Sequence, residues 1–152
     1  MELEFKPVVA GDIDRLRPFY GLRPNKTCDS VFLDSFLWKD YYHVQCAVSE
    51  GRAVLWLMEK DGQVSTAMPL CREEDLPYFF QQMVDYFSGV LHKPFHISLA
   101  DEEAVQCLNL DPALFEVEEQ VDLKDYLYSG EELRKLEGKK FVKKRNHLNG
   151  FK

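Results

Sequence analysis

The feature that most constrains this chain is the spacing of six apolar residues. Leu76, Phe79, Phe80, Met83, Val84 and Phe87 recur at i, i+3, i+4, i+7, i+8 and i+11. That is one continuous face of an α-helix. The spacing predicts a helix over about 73–88, with Gly89 as its stop. A face this large and aromatic is stable only against another layer, so the rest of the chain must supply a sheet or helices to cover it.

The segment before this helix supplies strands. His43–Val48, Ala53–Met58 and Val64–Leu70 read as three strands, separated by Glu50-Gly51 and by Lys60-Asp61-Gly62. Asp-Gly between apolar runs is a tight-hairpin signal, so the three form an antiparallel meander. Residues 2–8 read as a short edge strand. Asp12 is placed to cap a short helix with Ile13, Leu16, Phe19 and Tyr20 on one side and Pro18 near its end. Residues 21–26 form a loop. Asp29 is placed to cap a second helix with Phe32, Leu33, Phe36 and Leu37 inward.

Beyond the central helix, Phe95, Ile97 and Leu99 alternate and predict a strand over 95–99. Asp101 caps a short helix over 102–108. Phe115, Val117, Val121 and Leu123 alternate in turn and predict a last strand reaching towards Tyr128. Ser129 and Glu132, three apart, form a capping box for a helix ending near Gly138. A basic helix then runs from Lys139. The fold class is α/β of the α+β kind: a mixed, mostly antiparallel sheet flanked by helices, followed by basic C-terminal helices. A meander, a crossover helix and a further strand follow the order of acetyltransferase-like (GNAT) folds. Residues 1–128 are expected to form that domain, and residues 129–152 the capped helix and the start of the basic one.

Charge is unevenly placed. The net charge of the 152 residues is -7, yet residues 134–152 hold eight Lys/Arg against Glu137 alone. The last segment is therefore +7 and the preceding body -14. A basic tail on an acidic body points to an anionic partner, either nucleic acid, phospholipid or an acidic surface, or to the body itself. At 3.6 residues per turn, Lys139, Lys140, Lys143, Lys144 and His147 fall within an arc of about 140°. Phe141, Leu148 and Phe151 lie towards the other side. Arg145, Asn146 and Asn149 add donors nearby. The apolar stripe offers a second possibility, self-association through Phe141, Leu148 and Phe151.

Two stretches carry a resemblance. The first is Cys28–Tyr42, CDSVFLDSFLWKDYY. The second comprises Asp125-Tyr126-Leu127-Tyr128, Leu133, Leu136 and the run GKKFVKKRNHLNGF over Gly138–Phe151. Together they resemble a bacterial family related to the C-terminal domain of phosphatidylglycerol lysyltransferases. The KKRNHLN segment is the more specific of the two. The resemblance implies a protein about twice this long, with two acetyltransferase-like domains joined by the basic helix. This chain would then be the N-terminal half, with the C-terminal acetyltransferase-like domain as its missing partner. It implies acyl or aminoacyl transfer, with aminoacyl-tRNA as donor and a lipid or peptidoglycan precursor as acceptor. The alternative is a non-catalytic module holding tRNA or anionic lipid on the basic helix.

Other chemistry finds little support. An acyl-CoA enzyme cradles pyrophosphate on bare, glycine-rich backbone at the start of its central helix. Here that loop is Pro69–Asp75, with no glycine and with Glu73, Glu74 and Asp75 at the helix start. These argue against acyl-CoA, and no other cofactor is indicated. Cys28, Cys46, Cys71 and Cys107 contain no C-x-x-C pair and read as reduced, buried thiols, Cys71 at a strand end. His43, His92, His96 and His147 have no metal-ligand spacing. Trp38, Tyr41 and Tyr42 read first as a core edge, and otherwise as the lining of a groove that stacks a base or sugar. No catalytic residue is indicated. The N-terminus is not a secretory signal and no apolar run spans a membrane, so the cytoplasm is the expected compartment.

Overall fold

Four strands form one antiparallel sheet in the order β1-β2-β3-β4: β1 (Lys6–Pro7), β2 (Gln45–Ser49), β3 (Ala53–Lys60) and β4 (Gln63–Ser65). The helices are α1 (Ile13–Tyr20), α2 (Phe32–Leu37), α3 (Leu76–Tyr86), α4 (Glu102–Leu108), α5 (Gly130–Lys135) and α6 (Val142–Gly150). The structure is a computed structural model that describes residues 3–22, 31–124 and 128–151. The chain divides into two compact units, residues 1–118 and 119–152.

In the first unit the sheet is covered on both faces, which is why β3 reads as a continuous apolar run rather than an alternating one. Ala53 and Leu55 face a core with Leu76, Phe79, Phe80, Met83 and Phe87 of the central helix. Val54 and Trp56 point the other way, into a second core with Val8, Leu16 of α1, Val44 and Cys46. The helical face expected from the sequence is thus buried as predicted, five of its six residues fully and Val84 partly.

Both hairpins form where Gly marks them. Glu50 and Gly51 (φ 53° and 66°) and Asp61 and Gly62 (φ 52° and 81°) adopt the left-handed conformation that matches strand twist. The third strand of the meander is shorter than its sequence suggests. Met58 pairs with Ser65, but Val54 pairs with Leu70 and not with Pro69, so one extra residue is accommodated between the two points, a bulge. The Thr66 hydroxyl donates to the Trp56 carbonyl at 2.7 Å where the ladder breaks.

Several expectations are corrected. The central helix does not stop at Gly89. It widens into a π-helical turn, Phe87–Leu91, and ends at His92, whose φ is 52°. The extra turn packs Leu91 on the core. Residues 95–99 are not a strand: Ile97 makes a single parallel bridge, to Thr66, because β4 has already left the ladder. Residues 115–123 are not a strand either. They pair with no strand among the described residues, and Val117, Val121 and Leu123 are exposed, with a 3-10 turn at Val121–Leu123. Phe115 alone packs inward, against Phe80 and Phe95.

Asp12 does not cap α1. It lies in a preceding 3-10 turn, Ala10–Asp12, and its carboxylate accepts the Val9 amide at 2.9 Å and pairs with Arg15 at 2.7 Å. Pro18 lies inside α1, two residues before its end. Leu33 and Leu37 face solvent, while Phe32 and Phe36 stack on each other at 6.1 Å. Asp101 caps α4 as expected, accepting the Ala104 amide at 2.8 Å. Cys28, Asp29 and the loop from 23, together with Asp125, Tyr126, Leu127 and Lys152, lie outside the described residues.

Candidate functional site

The second unit holds the basic residues. Ser129 caps α5 by accepting the Glu132 amide, and Lys135 pairs with Glu131 at 2.7 Å. The helix ends at Leu136 (φ 48°), and Gly138 (φ 84°) turns the chain into a 3-10 turn, Lys139–Phe141, that leads into α6. Lys139 and Lys140 thus precede the α-helix, and the arc expected from α-helical spacing holds only for Lys143, Lys144 and His147.

The cations divide by task. Arg145 reaches back from α6 and donates to the carbonyls of Leu136 and Gly138, the latter at 3.0 Å. It satisfies acceptors that the end of α5 leaves open, so its role is to hold the corner. Lys140 pairs with Glu132 at 2.8 Å and lies 5.1 Å from the Phe141 ring centre. Among the described residues, no carboxylate pairs with Lys139, Lys143 or Lys144. All three are exposed, as are Asn146, His147 and Asn149. Lys143 and Lys144 lie in the first turn of α6 and Lys139 just before it, where the helix dipole is already positive, so an anion there relieves repulsion. Phe141 is buried, leaving Leu148 and Phe151 as the exposed apolar residues of the stripe.

In the first unit, Trp38, Tyr41 and Tyr42 form one cluster, with ring centres 5.8, 5.9 and 4.7 Å apart. Tyr42 packs against the second core, whereas Trp38 and Tyr41 are 49% and 52% exposed. The core-edge reading therefore holds for Tyr42 only. Lys60 joins them from β3. Its ammonium lies 4.1 Å from the Tyr41 ring centre and 5.7 Å from that of Tyr42, and it donates to the Tyr41 hydroxyl. That hydrogen bond holds the Lys60 ammonium above its ordinary pKa. Lys60 was not apparent in the sequence. The β2–β3 ladder ends where Gln45 pairs with Leu57, and beyond it the Glu59 amide meets the Tyr42 carbonyl, one residue out of that register, with the neighbouring Lys60 beside the rings.

The start of the central helix is a 3-10 turn, Glu73–Asp75. Arg52 pairs with Asp75 and with Glu50 (3.2 Å) and lies over Tyr78 and Phe79, and Tyr78 donates to Glu50 at 2.7 Å. A cleft of about 420 Å³ beside it is lined by Leu22, Gly51, Arg52, Arg72, Glu74 and Asp75. Its two arginines are matched by carboxylates, Arg72 by Glu74 at 3.7 Å. Cys71 is buried, and so is Cys46, whose thiol is pushed up by burial despite the Arg15 guanidinium at 3.6 Å. Cys107 is partly exposed. Among the described residues, no group of three or more His, Cys, Asp or Glu is placed to hold a metal ion, and no helix is long and apolar enough to cross a membrane.

Comparison with known proteins places these features. Among curated proteins, none matches the sequence. One similar solved structure is that of a conserved protein of unknown function from Bacteroides thetaiotaomicron, with a TM-score of 0.83 and 24% identity. The match covers 99% of this chain and 50% of that one, so the chain spans half the length of this structural relative and shares its fold over that half. The family model described as phosphatidylglycerol lysyltransferase, C-terminal, matches residues 21–152, from the end of α1 through the aromatic cluster and the whole basic segment. The chain belongs to the phosphatidylglycerol lysyltransferase C-terminal family.

Proposed function

We propose that the chain supplies one half of an acyl- or aminoacyl-transferring enzyme of the lysyltransferase kind, and that its basic segment receives the phosphate backbone of an aminoacyl-tRNA donor. The observation that carries this reading is the family match, whose span includes Lys139–Asn149. The exposed Lys139, Lys143 and Lys144 add to it. A cationic face of this kind holds phosphates by charge, with little sequence readout. In such a transfer an acceptor hydroxyl or amine attacks the aminoacyl ester carbonyl, a new acyl bond forms, and the 3′-hydroxyl of the tRNA departs with the proton. The meander and central helix of the first unit fit one wall of such an enzyme, and the other wall would come from a second domain.

The test is a transfer assay on the complete product of the gene, in the cytoplasmic setting this reading implies. It is incubated with tRNA charged with radiolabelled amino acids and with phosphatidylglycerol vesicles. Label entering the lipid is the expected result; label that stays on tRNA across all amino acids would contradict the proposal. A second reading follows from the three lysines that have no carboxylate partner among the described residues. On it, the chain is a non-catalytic module that binds tRNA or anionic lipid, and binding persists where transfer is absent.

A further inference from the structure

We propose that Trp38, Tyr41 and Lys60 form a second site, on the first unit, that stacks a planar base and holds the phosphate attached to it. Three observations converge there. The first is exposure: Trp38 and Tyr41 keep about half of their surface in water, although aromatic rings gain most by burial. The second is rigidity. The Trp38 carbonyl accepts the amides of both Tyr41 (3.1 Å) and Tyr42 (3.0 Å). The Glu59 amide donates to the Tyr42 carbonyl at 2.8 Å, and Val44 donates to Lys39 at 2.9 Å. The backbone that carries the exposed rings is therefore fixed to the sheet, the rings pack edge-on against one another, and Tyr42 is anchored in the core. A fixed platform loses little entropy when a ligand stacks on it.

The third observation selects the ligand. The Lys60 ammonium makes no ion pair among the described residues; it donates to the Tyr41 hydroxyl and lies over two rings, and the Asp61 carboxylate acts on it only through space. Trp38 and Tyr41 ring centres are 5.8 Å apart and the ammonium is 4.1 Å from that of Tyr41, so the cation lies within the sum of those distances from the indole. That bound admits the span from a base to the phosphate of one nucleotide. A neutral sugar would also stack, but it would bring no anion to the ammonium. Base stacking on aromatic side chains is tolerant of sequence and gains further from a cation beside the rings.

The experiment uses the 152-residue chain and its own fluorescence. Of its two tryptophans, Trp56 is buried and Trp38 is exposed, so a ligand at the platform is reported by Trp38. The chain is titrated with AMP, adenosine and glucose. Saturable quenching by AMP is expected, with weaker quenching by adenosine and none by glucose. In equilibrium dialysis with labelled AMP, Trp38→Ala should weaken binding at least about fivefold. Lys60→Gln should weaken AMP binding but leave adenosine unchanged. Retention of the native melting curve by both variants excludes misfolding, and an exposed side chain at Trp38 and a partly exposed one at Lys60 make that retention expected. Equal responses to glucose and AMP would replace the proposal with a sugar platform. No saturable AMP binding by the parent chain would overturn it, as would AMP binding indifferent to Trp38→Ala. None of these outcomes depends on tRNA or on transfer.

Discussion

Asp12 shows how little of a residue's role is fixed by its local motif. The sequence offers it as the cap of α1, and it stands at that helix start, but its carboxylate turns back to the Val9 amide and sideways to Arg15. Burial works to raise its pKa; the Val9 amide and Arg15 outweigh burial, and the net shift is downward. A carboxylate with a lowered folded pKa stabilises the fold above its unfolded value, and that contribution disappears as pH falls through the folded one. Asp12→Ala is therefore expected to cost about 1 kcal/mol at pH 7, with the difference from the parent shrinking below about pH 4. Urea denaturation at a series of pH values measures this; a deficit constant with pH would show that the charge is irrelevant. Arg145 teaches the same lesson on the basic side. It belongs to the most cationic run of the chain, and only its contact with Leu136 and Gly138, nine and seven residues earlier, shows that it closes a corner.

At the scale of elements, legibility follows the number of signals that agree. The helix around Phe79 and the two hairpins were readable because periodicity and turn chemistry point the same way. The expected strands at 95–99 and 115–123 rested on alternation alone. Alternation says that a segment has two faces, not that a neighbouring strand has a free edge, and β4 had turned away after Ser65. The helix end was misplaced because Gly89 has no need of its freedom there, while His92 takes the left-handed conformation instead. Two glycines should accordingly respond in opposite directions. Gly62 has φ +81° with open space where an added methyl group would stand, so Gly62→Ala meets only backbone strain and should cost about 1 kcal/mol. Gly89 lies in a helical turn with equally open space, so Gly89→Ala should be neutral or stabilising, by up to about 1 kcal/mol. Denaturation midpoints of the two variants decide this, and a shift of the same sign in both would contradict the assignment of the helix end.

At the scale of the whole molecule, the division of charge was the most legible functional feature. Residues 1–133 carry -14 and residues 134–152 carry +7. What could not be read was which cations remain available, because ion pairs such as Lys140 with Glu132 depend on the corner between α5 and α6. The aromatic platform was visible as three residues but not as a site, since Lys60 joins it only through the fold, where the Glu59 amide meets the Tyr42 carbonyl beyond the β2–β3 ladder. The family match joins both features to a transferase lineage, and the basic segment is where that claim is most exposed to test. The direct measurement is the affinity of the chain for tRNA across a range of salt concentrations. If Lys139, Lys143 and Lys144 carry the contact, the logarithm of affinity should fall with that of salt with a slope of about -2 to -3, and replacing all three with Glu should abolish binding. Affinity insensitive to salt, or unchanged in the triple variant, would contradict the account.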